Sequence, residues 1–197
     1  MPSKVSALLV NKSLASEASD LNLLESTAMG SKAALGELFR RYHKDVYRFL
    51  ARLTPSDSAD LDDMVQTTFV LAARSAARFE GRSAPKTWLF GIAANVARMR
   101  CRSEQRRNRM FSILKRFPLN TCTLTPQTHT ENREALRRVR AALDQLSPKL
   151  REVFVLCALE GISCAEAART LDIPEGTLWR RLHEARVRLQ HKMEKEG

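Results

Sequence analysis

The sequence has little of what metal sites, disulfide frameworks and membrane spans require. It contains only four cysteines, at Cys101, Cys122, Cys157 and Cys164. They form no Cys-x-x-Cys pair and no cluster with histidine at zinc spacing, so we expect reduced thiols, no metal and no cofactor. The apolar cluster Leu8-Leu9-Val10 is too short for a signal peptide or a membrane span. These absences predict a cytoplasmic protein without membrane insertion.

Enzyme motifs are missing as well. There is no glycine-rich phosphate loop, and no histidine has a Ser, Cys or carboxylate partner in a recognisable motif; the four are His43, His129, His183 and His191. The chain shows neither internal repeats nor strand patterns. We therefore expect an all-α protein that is not an enzyme.

Charge is what the sequence does have. Lysine and arginine number 33 against 22 aspartate and glutamate residues, a formal net charge of +11. Such a surplus of positive charge favours a polyanionic partner. The length of 197 residues allows one or two domains with hydrophobic cores of their own.

Residues 146–189 carry the signals of a helix-turn-helix. Ser147-Pro148 is a cap followed by proline at the first helical position, and Gly161 ends the helix that begins there. Ser163 and Glu166 form a capping box for a second helix. Residues 172–176 read as a tight turn, and a third helix begins at Thr177.

The third helix has the composition of a DNA-reading helix. Its apolar stripe is formed by Leu178, Leu182, Ala185 and Leu189. Helical periodicity then points another set away from the core: Gly176, Arg180, His183, Glu184 and Val187. Arg180 is the candidate for a contact to guanine and Glu184 for one to cytosine. The alternative is a helical hairpin whose basic residues form only a solvated face.

Residues 21–102 read as a second helical domain. After Ser31, a long amphipathic helix with an apolar stripe that includes Phe39 runs to Pro55. The next helix turns Asp62, Asp63 and Gln66 outward, which indicates either ordinary solvation or a docking face for a partner's basic helix. A loop at residues 82–86 leads into a helix over 87–102. Its predicted buried stripe is Trp88, Leu89, Ile92, Val96 and Met99, beside a polar and basic track of Gly91, Asn95, Arg98 and Arg102.

The remaining segments complete the expected organisation. Residues 1–20 have little pattern and are predicted to be disordered. Residues 103–130 are basic at first and then rich in threonine and proline, which predicts a flexible linker, with continuation of the preceding helix as the alternative for its first part. The fourth segment, residues 131–197, contains the helix-turn-helix.

Two stretches resemble the extracytoplasmic-function branch of the sigma-70 family of bacterial sigma factors. The stretch Asp62-Asp63-Met64-Val65-Gln66-Thr67-Thr68-Phe69 is similar to a signature of sigma region 2, and residues 79–95 resemble its continuation. Residues 146–186 resemble sigma region 4. The resemblance covers residues 21–102 and 131–192. It implies an all-α protein with a region 2 bundle and a region 4 helix-turn-helix.

This resemblance implies a function and a set of site residues. The protein would bind core RNA polymerase, direct it to promoter DNA and help to melt the duplex, and an anti-sigma factor would be a further partner. Core polymerase would be bound by Asp62, Asp63, Gln66 and Phe69. The minus-ten element would be bound by Gly81, Arg82, Ser83, Ala84, Lys86, Trp88, Asn95, Arg98 and Arg102. The minus-thirty-five element would be bound by Arg151, Ser163, Thr177, Trp179, Arg180, Arg181, His183, Glu184, Arg186 and Arg188.

A competing interpretation keeps only the helix-turn-helix. The chain would then be a conventional repressor or activator, with residues 21–102 as a ligand-binding or dimerising domain. That domain shows no heptad seam and no polar constellation for a ligand. The loop before residue 87 likewise has a plainer interpretation, as an ordinary turn between two helices.

Overall fold

The computed structural model describes residues 20–54, 60–114 and 139–196, with only the helical backbone described for 107–114 and 192–196. All regular structure within these ranges is helical, which confirms the predicted all-α class. Residues 1–19 of the predicted disordered segment and residues 115–130 of the predicted linker lie outside the described ranges. None of the helices in those ranges is both long and apolar enough to cross a membrane.

Within the described residues 20–54 and 60–114, the N-terminal domain contains four helices. Helix α1 covers residues 20–28, α2 is Lys32–Leu53, α3 is Leu61–Ser75 and α4 is Pro85–Leu114, with a short 3₁₀ turn at Ala76–Arg78 before the last. Helix α2 begins where the sequence predicts, because the Ser31 side chain accepts a hydrogen bond of 3.3 Å from the Ala34 backbone N–H. Its largest fully buried side chains include Leu38, Val46, Phe49 and Leu50.

Helix α4 departs from the prediction in its length and in its buried face. It begins at Pro85 and continues to Leu114, into the first part of the predicted linker, because residues 103–114 contain no proline or glycine. The predicted core residue Met99 is 64 % exposed. The helix contacts α2, α3 and α7, so it buries a broader face than one stripe; that face adds Phe90, Ala93, Ala94 and Ala97.

The C-terminal domain, residues 139–196, contains the helix-turn-helix. Residues 139–144 form α5, α6 is Pro148–Phe154 and continues into a π turn at Val155–Leu159, α7 is Cys164–Leu171 and α8 is Glu175–Glu196. The Ser163 half of the predicted capping box is present, since the Ser163 hydroxyl accepts a 3.3 Å hydrogen bond from the Glu166 backbone N–H. Helix α8 begins two residues before the predicted Thr177, because the Pro174 carbonyl already accepts the Thr177 N–H at 2.9 Å.

The two domains pack directly against each other. Helix α4 contacts α7, and α2 contacts α6 and the π turn. The buried side chains of both domains form one continuous apolar cluster. The domains approach closely at Gly91, where an added Cβ atom would lie 2.8 Å from Cγ2 of Thr170. Only a residue without a side chain fits at position 91 in this arrangement.

Candidate polymerase and promoter interfaces

The outward face of α3 carries the predicted docking residues. Asp62, Asp63 and Gln66 are exposed, as the sequence predicts. Phe69 differs, because it is 4 % exposed and packs edge-on against Phe39 with 4.9 Å between the ring centroids. Phe69 therefore belongs to the core behind this face and does not itself contact a partner in this conformation.

The predicted docking face continues onto α2 through residues that the sequence interpretation did not include. A groove between α2 and α3 is lined by Asp62, Val65 and Gln66 on one side and by Phe39, His43, Lys44, Tyr47 and Arg48 on the other. Phe39 and Tyr47 are 39 % and 41 % exposed. The signal was present but misread, since Phe39 was assigned to the buried stripe of α2.

The loop before α4 begins with a glycine in a left-handed conformation. Gly81 adopts a left-handed φ of 66°, a conformation that favours glycine. Arg82 pairs with Glu80 at 2.6 Å, and both side chains are mostly exposed. Behind the loop, Trp88 is half-buried and packs edge-on against Phe79, with ring centroids 5.3 Å apart. Ser83 and Ala84 are half-buried at the bend, so the loop presents small side chains next to a cation.

The basic track along α4 is only partly accessible. Asn95 and Arg102 are exposed, whereas the Arg98 side chain is 33 % exposed and its Nε lies 3.0 Å from Glu152 of the C-terminal domain. Lys86, at the start of the helix, lies 3.7 Å from Asp45 and 3.9 Å from Glu160. Two of the predicted DNA-binding cations are therefore paired with carboxylates of the C-terminal domain.

Arg151 does not lie where the sequence interpretation places it. It is 6 % exposed, and its Nη1 donates a 3.2 Å hydrogen bond to the Leu53 carbonyl at the end of α2. Its Nη2 lies 3.3 Å from Asp144. Burial lowers the pKa of its guanidinium. The predicted phosphate contact is therefore wrong for this arrangement, in which Arg151 links the two domains.

Glu152 is the buried carboxylate beside it, and the sequence interpretation gave it no role. Burial raises its pKa to about 7, although Arg98, Arg181 and Arg102 act in the opposite direction. The pKa shift shows that desolvation outweighs the attraction of these three cations. No local motif marks Glu152, because both its burial and its contact with Arg98 depend on packing between the domains.

Helix α8 turns its predicted reading residues to the outside. Gly176, Arg180, His183, Glu184 and Val187 are all exposed, opposite the buried Leu178, Leu182 and Ala185. Trp179 is 51 % exposed and donates from Nε1 to Glu175 at 3.3 Å. Glu184 pairs with Arg188 one turn later at 2.6 Å. Arg186 is exposed, whereas Thr177 and Arg181 are half-buried at the margins. The exposed polar and basic side chains of α8 therefore lie on the face away from the core, where a DNA groove could be contacted.

No metal centre emerges among the residues that the structure describes, which contain no group of three or more His, Cys, Asp or Glu side chains able to hold an ion.

Comparison with known proteins decides the family. Residues 38–107 match Sigma-70 region 2, and residues 136–189 match Sigma-70, region 4. The ECF RNA polymerase sigma-E factor of Haemophilus influenzae is 31% identical over 188 residues, which cover 92% of this chain and 98% of that protein. The chain belongs to the extracytoplasmic-function sigma factors. It is a sigma factor of transcription initiation, which binds core RNA polymerase and promoter DNA.

Further relatives agree over most of the chain. The ECF RNA polymerase sigma factor SigM of Mycobacterium tuberculosis is 34% identical over 173 residues, covering 88% of this chain and 84% of that protein. Among solved structures, CnrH in complex with the cytosolic domain of CnrY is similar at a TM-score of 0.65 and 26% identity, covering 90% of this chain and 99% of that chain. The sigma factor RpoE of Bartonella quintana, in complex with the anti-sigma factor NepR, gives a TM-score of 0.66 and 25% identity over 81% of this chain and 96% of that chain.

Proposed function

We propose that this sigma factor recognises its promoters with two separate surfaces, one on each domain. Helix α8 reads the minus-thirty-five element in the major groove, and the loop and α4 of the N-terminal domain bind the melted minus-ten strand. The protein contributes binding and positioning, and the polymerase carries out the chemistry.

The outward face of α8 is the observation that carries this proposal. Arg180 and His183 are exposed opposite the core stripe, and Arg180 has the fork geometry for the O6 and N7 atoms of guanine. Glu184 can accept from a cytosine amino group. Arg188, one turn further along, forms an exposed 2.6 Å pair with Glu184, which contributes little to stability and leaves Arg188 able to contact a phosphate instead. Trp179 lies at the margin of the same face.

The N-terminal domain supplies the strand-binding surface. Gly81, Arg82, Ser83 and Ala84 leave room for a base beside a cation, and the exposed Asn95 and Arg102 continue along α4. A base in a duplex hides its edges, so selecting one in the melted strand requires it to leave the stack at a cost of a few kcal/mol. Lys86 and Arg98 would join this surface once they leave Glu160 and Glu152.

The polymerase docks on a different helix of the same domain, α3. The exposed carboxylates Asp62 and Asp63, together with Gln66, suit a basic helix of the polymerase. Phe69 supports this face from the core, and the exposed Phe39 and Tyr47 give it an apolar margin. Because the docking face is carried by α3 and the strand-binding surface by the loop and α4, one domain can hold both partners.

An anti-sigma factor is a further partner that we propose. CnrH is solved with the cytosolic domain of CnrY, and the Bartonella quintana RpoE with the anti-sigma factor NepR. These similar folds in complexes support the same type of regulation for this chain.

Run-off transcription tests the proposed function. Core polymerase with this chain, on a library of genomic fragments, should give transcripts whose start sites share two upstream elements at fixed spacing. Core polymerase alone is the control. A conventional repressor would bind DNA without core polymerase and give no start sites, so that result would overturn the proposal.

A further inference from the structure

Two cysteines of the C-terminal domain lie side by side. Cys157 belongs to the π turn, and Cys164 is the first residue of α7. The chain reverses between them, because Gly161 adopts a left-handed φ of 69° and the Ile162 N–H donates a 3.0 Å hydrogen bond to the Leu156 carbonyl. A hydrogen bond joins the two thiols, although they are not neighbours in the sequence.

A small oxidant can reach this thiol pair. Both side chains are half-buried and pack against the apolar core. Ala158 and Ser163, which adjoin the two cysteines in the chain, are exposed. Cys101 differs, because its sulfur accepts from the Gln105 Nε2 atom at 3.7 Å rather than from a thiol. Oxidation of the C-terminal pair therefore has a partner sulfur already in place.

The two thiols of the pair have different parts to play. Burial raises the pKa of Cys157 to about 12, and the neighbouring Cys164 acts in the same direction, whereas Arg186 opposes it. The thiolate, not the thiol, is the form of cysteine that attacks an oxidant. Cys157 keeps its proton at neutral pH, so Cys164 is the residue that reacts first.

Hydrogen peroxide converts such a pair into a disulfide in two steps. The Cys164 thiolate attacks a peroxide oxygen, the O–O bond breaks, and Cys164 becomes a sulfenic acid while the leaving hydroxide takes up the proton that the thiol released. The Cys157 sulfur then attacks the Cys164 sulfur, so that an S–S bond forms and the S–O bond breaks. The second hydroxide leaves with the Cys157 proton as water. The two thiols lose two electrons, and the peroxide is reduced to two waters.

A disulfide at this point would displace the start of α7. It holds two sulfur atoms much closer than a hydrogen bond between thiols does. Closing that gap draws Cys164 toward the π turn, and with it Ser163, whose hydroxyl caps α7 by accepting from the Glu166 N–H at 3.3 Å. Helix α7 packs on α8, which carries the exposed Arg180. A displacement of α7 therefore changes how the reading helix is held.

We propose that Cys157 and Cys164 form a reversible disulfide under peroxide, and that this disulfide weakens binding of the minus-thirty-five element by shifting α7 against α8. The disulfide itself is inferred from the contact between the thiols. Its effect on DNA rests on the proposed function, because it concerns the reading face of α8. A reducing thiol reopens the bond by thiol–disulfide exchange, so the pair is a redox switch.

Oxidation of a full chain that keeps only this pair tests the disulfide. In a background with Cys101→Ala and Cys122→Ala, the protein is treated with hydrogen peroxide, alkylated with iodoacetamide and digested with trypsin. Both cysteines lie on one tryptic peptide, residues 152–169, because no lysine or arginine separates them. That peptide should be unalkylated and lighter by two hydrogen atoms, and reduction with dithiothreitol before alkylation should restore two labelled thiols. In Cys157→Ala, the matched control, oxidation should stop at a sulfenic acid that dimedone traps at Cys164.

Promoter binding tests the switch. The same protein is oxidised and desalted, mixed with core polymerase, and titrated with a promoter found by run-off transcription or with that promoter after its minus-thirty-five element is scrambled. Oxidation should lower the affinity for the intact promoter at least about fivefold, and dithiothreitol should restore it. Affinity for the scrambled promoter should not change. A chain without any of its cysteines, treated in the same way, should bind equally before and after peroxide.

Failure of this inference is distinguishable from failure of the proposed function. If both thiols are still alkylated after peroxide, or if the disulfide forms and promoter affinity is unchanged, the inference is overturned. An equal loss of affinity in the cysteine-free chain would likewise overturn it. If the reduced protein with core polymerase does not distinguish the intact from the scrambled element, the proposed function has failed, while the mass of the tryptic peptide still decides whether the disulfide forms.

Discussion

The Nε of Arg98 lies 3.0 Å from the carboxylate of Glu152, and this pair joins a helix of the N-terminal domain to one of the C-terminal domain. The two residues lie in different sigma regions and have no sequence motif in common. Their contact means that one of the cations proposed to follow the melted strand is occupied when the domains pack together. The same packing buries the carboxyl group of Glu152 near several cations, and this burial makes the stability of the protein depend on pH.

That consequence is a dependence of stability on pH. The pKa of Glu152 is raised to about 7 by burial, against an ordinary value of 4.5. Between these values the folded protein holds a proton that the unfolded chain releases, so this contribution to stability is present below pH 4.5 and is lost as the pH rises through 7. Glu152→Gln should therefore be more stable relative to wild type at pH 8 than at pH 5, by about 3 kcal/mol at most. Urea unfolding of both proteins at the two pH values measures it, and an equal difference at both would contradict the assignment.

The exposed acids of α3 give a prediction about docking. Asp63 is exposed on α3, so Asp63→Lys should spare folding. It would place like charge against a basic partner helix, at a cost of several kcal/mol. We expect a folded protein that fails to co-purify with core polymerase. Glu25→Lys, an equal charge change on the exposed side of α1, is the control. If Asp63→Lys bound core polymerase with wild-type affinity, the exposed face of α3 would not be the docking face.

The loop before α4 gives a prediction about strand melting. Replacing Ser83 and Ala84 with bulky residues should fill the space for a flipped base while leaving the docking face intact. Core binding should then be normal, whereas permanganate reactivity of the minus-ten thymines should be lost. Ala77→Trp, at an exposed position in the preceding 3₁₀ turn, controls for added bulk. Normal reactivity in the loop variant would mean that the loop is only a turn between helices.

Ser163 has a structural role that can be separated from a role at DNA. Its hydroxyl caps α7 by accepting from Glu166 N–H at 3.3 Å, so Ser163→Ala should lower the free energy of unfolding by about 1 kcal/mol. Ser163→Asp keeps a capping oxygen but adds a negative charge. If Ser163 also lies near a phosphate, Ser163→Asp should be stable yet bind the minus-thirty-five element more weakly. Unchanged binding by this stable variant would limit Ser163 to capping.

Local signals predicted most of the helices and the faces they present. The caps Ser31 and Ser163 begin helices at the predicted positions, and the stripe of α8 correctly placed Arg180 on the outside. Capping and periodicity depend on residues three or four positions apart, so a sequence displays them directly.

The errors come from packing between elements that are distant in the sequence, within one domain or between the two. Arg151 was read as a phosphate contact because it is a cation near a helix start, but it is buried against the end of α2. Glu152 and Glu160 had no role because their partners are more than fifty residues away in the chain. Met99 was assigned to the core because one stripe was expected, whereas α4 packs against three helices. Such contacts are set by tertiary structure and leave no local pattern.

The most direct test of promoter recognition by α8 is selection of promoters from a randomised minus-thirty-five element. Three selections are run in parallel, with core polymerase and either the wild-type protein, Arg180→Ala or Arg188→Ala, and the bound sequences are compared. Arg180→Ala should cost about 1–3 kcal/mol and relax the preference at one base pair, whereas Arg188→Ala should weaken all sequences alike and make the salt dependence shallower. An Arg180→Ala protein that returns the wild-type preference at every position would contradict the orientation of α8 on DNA.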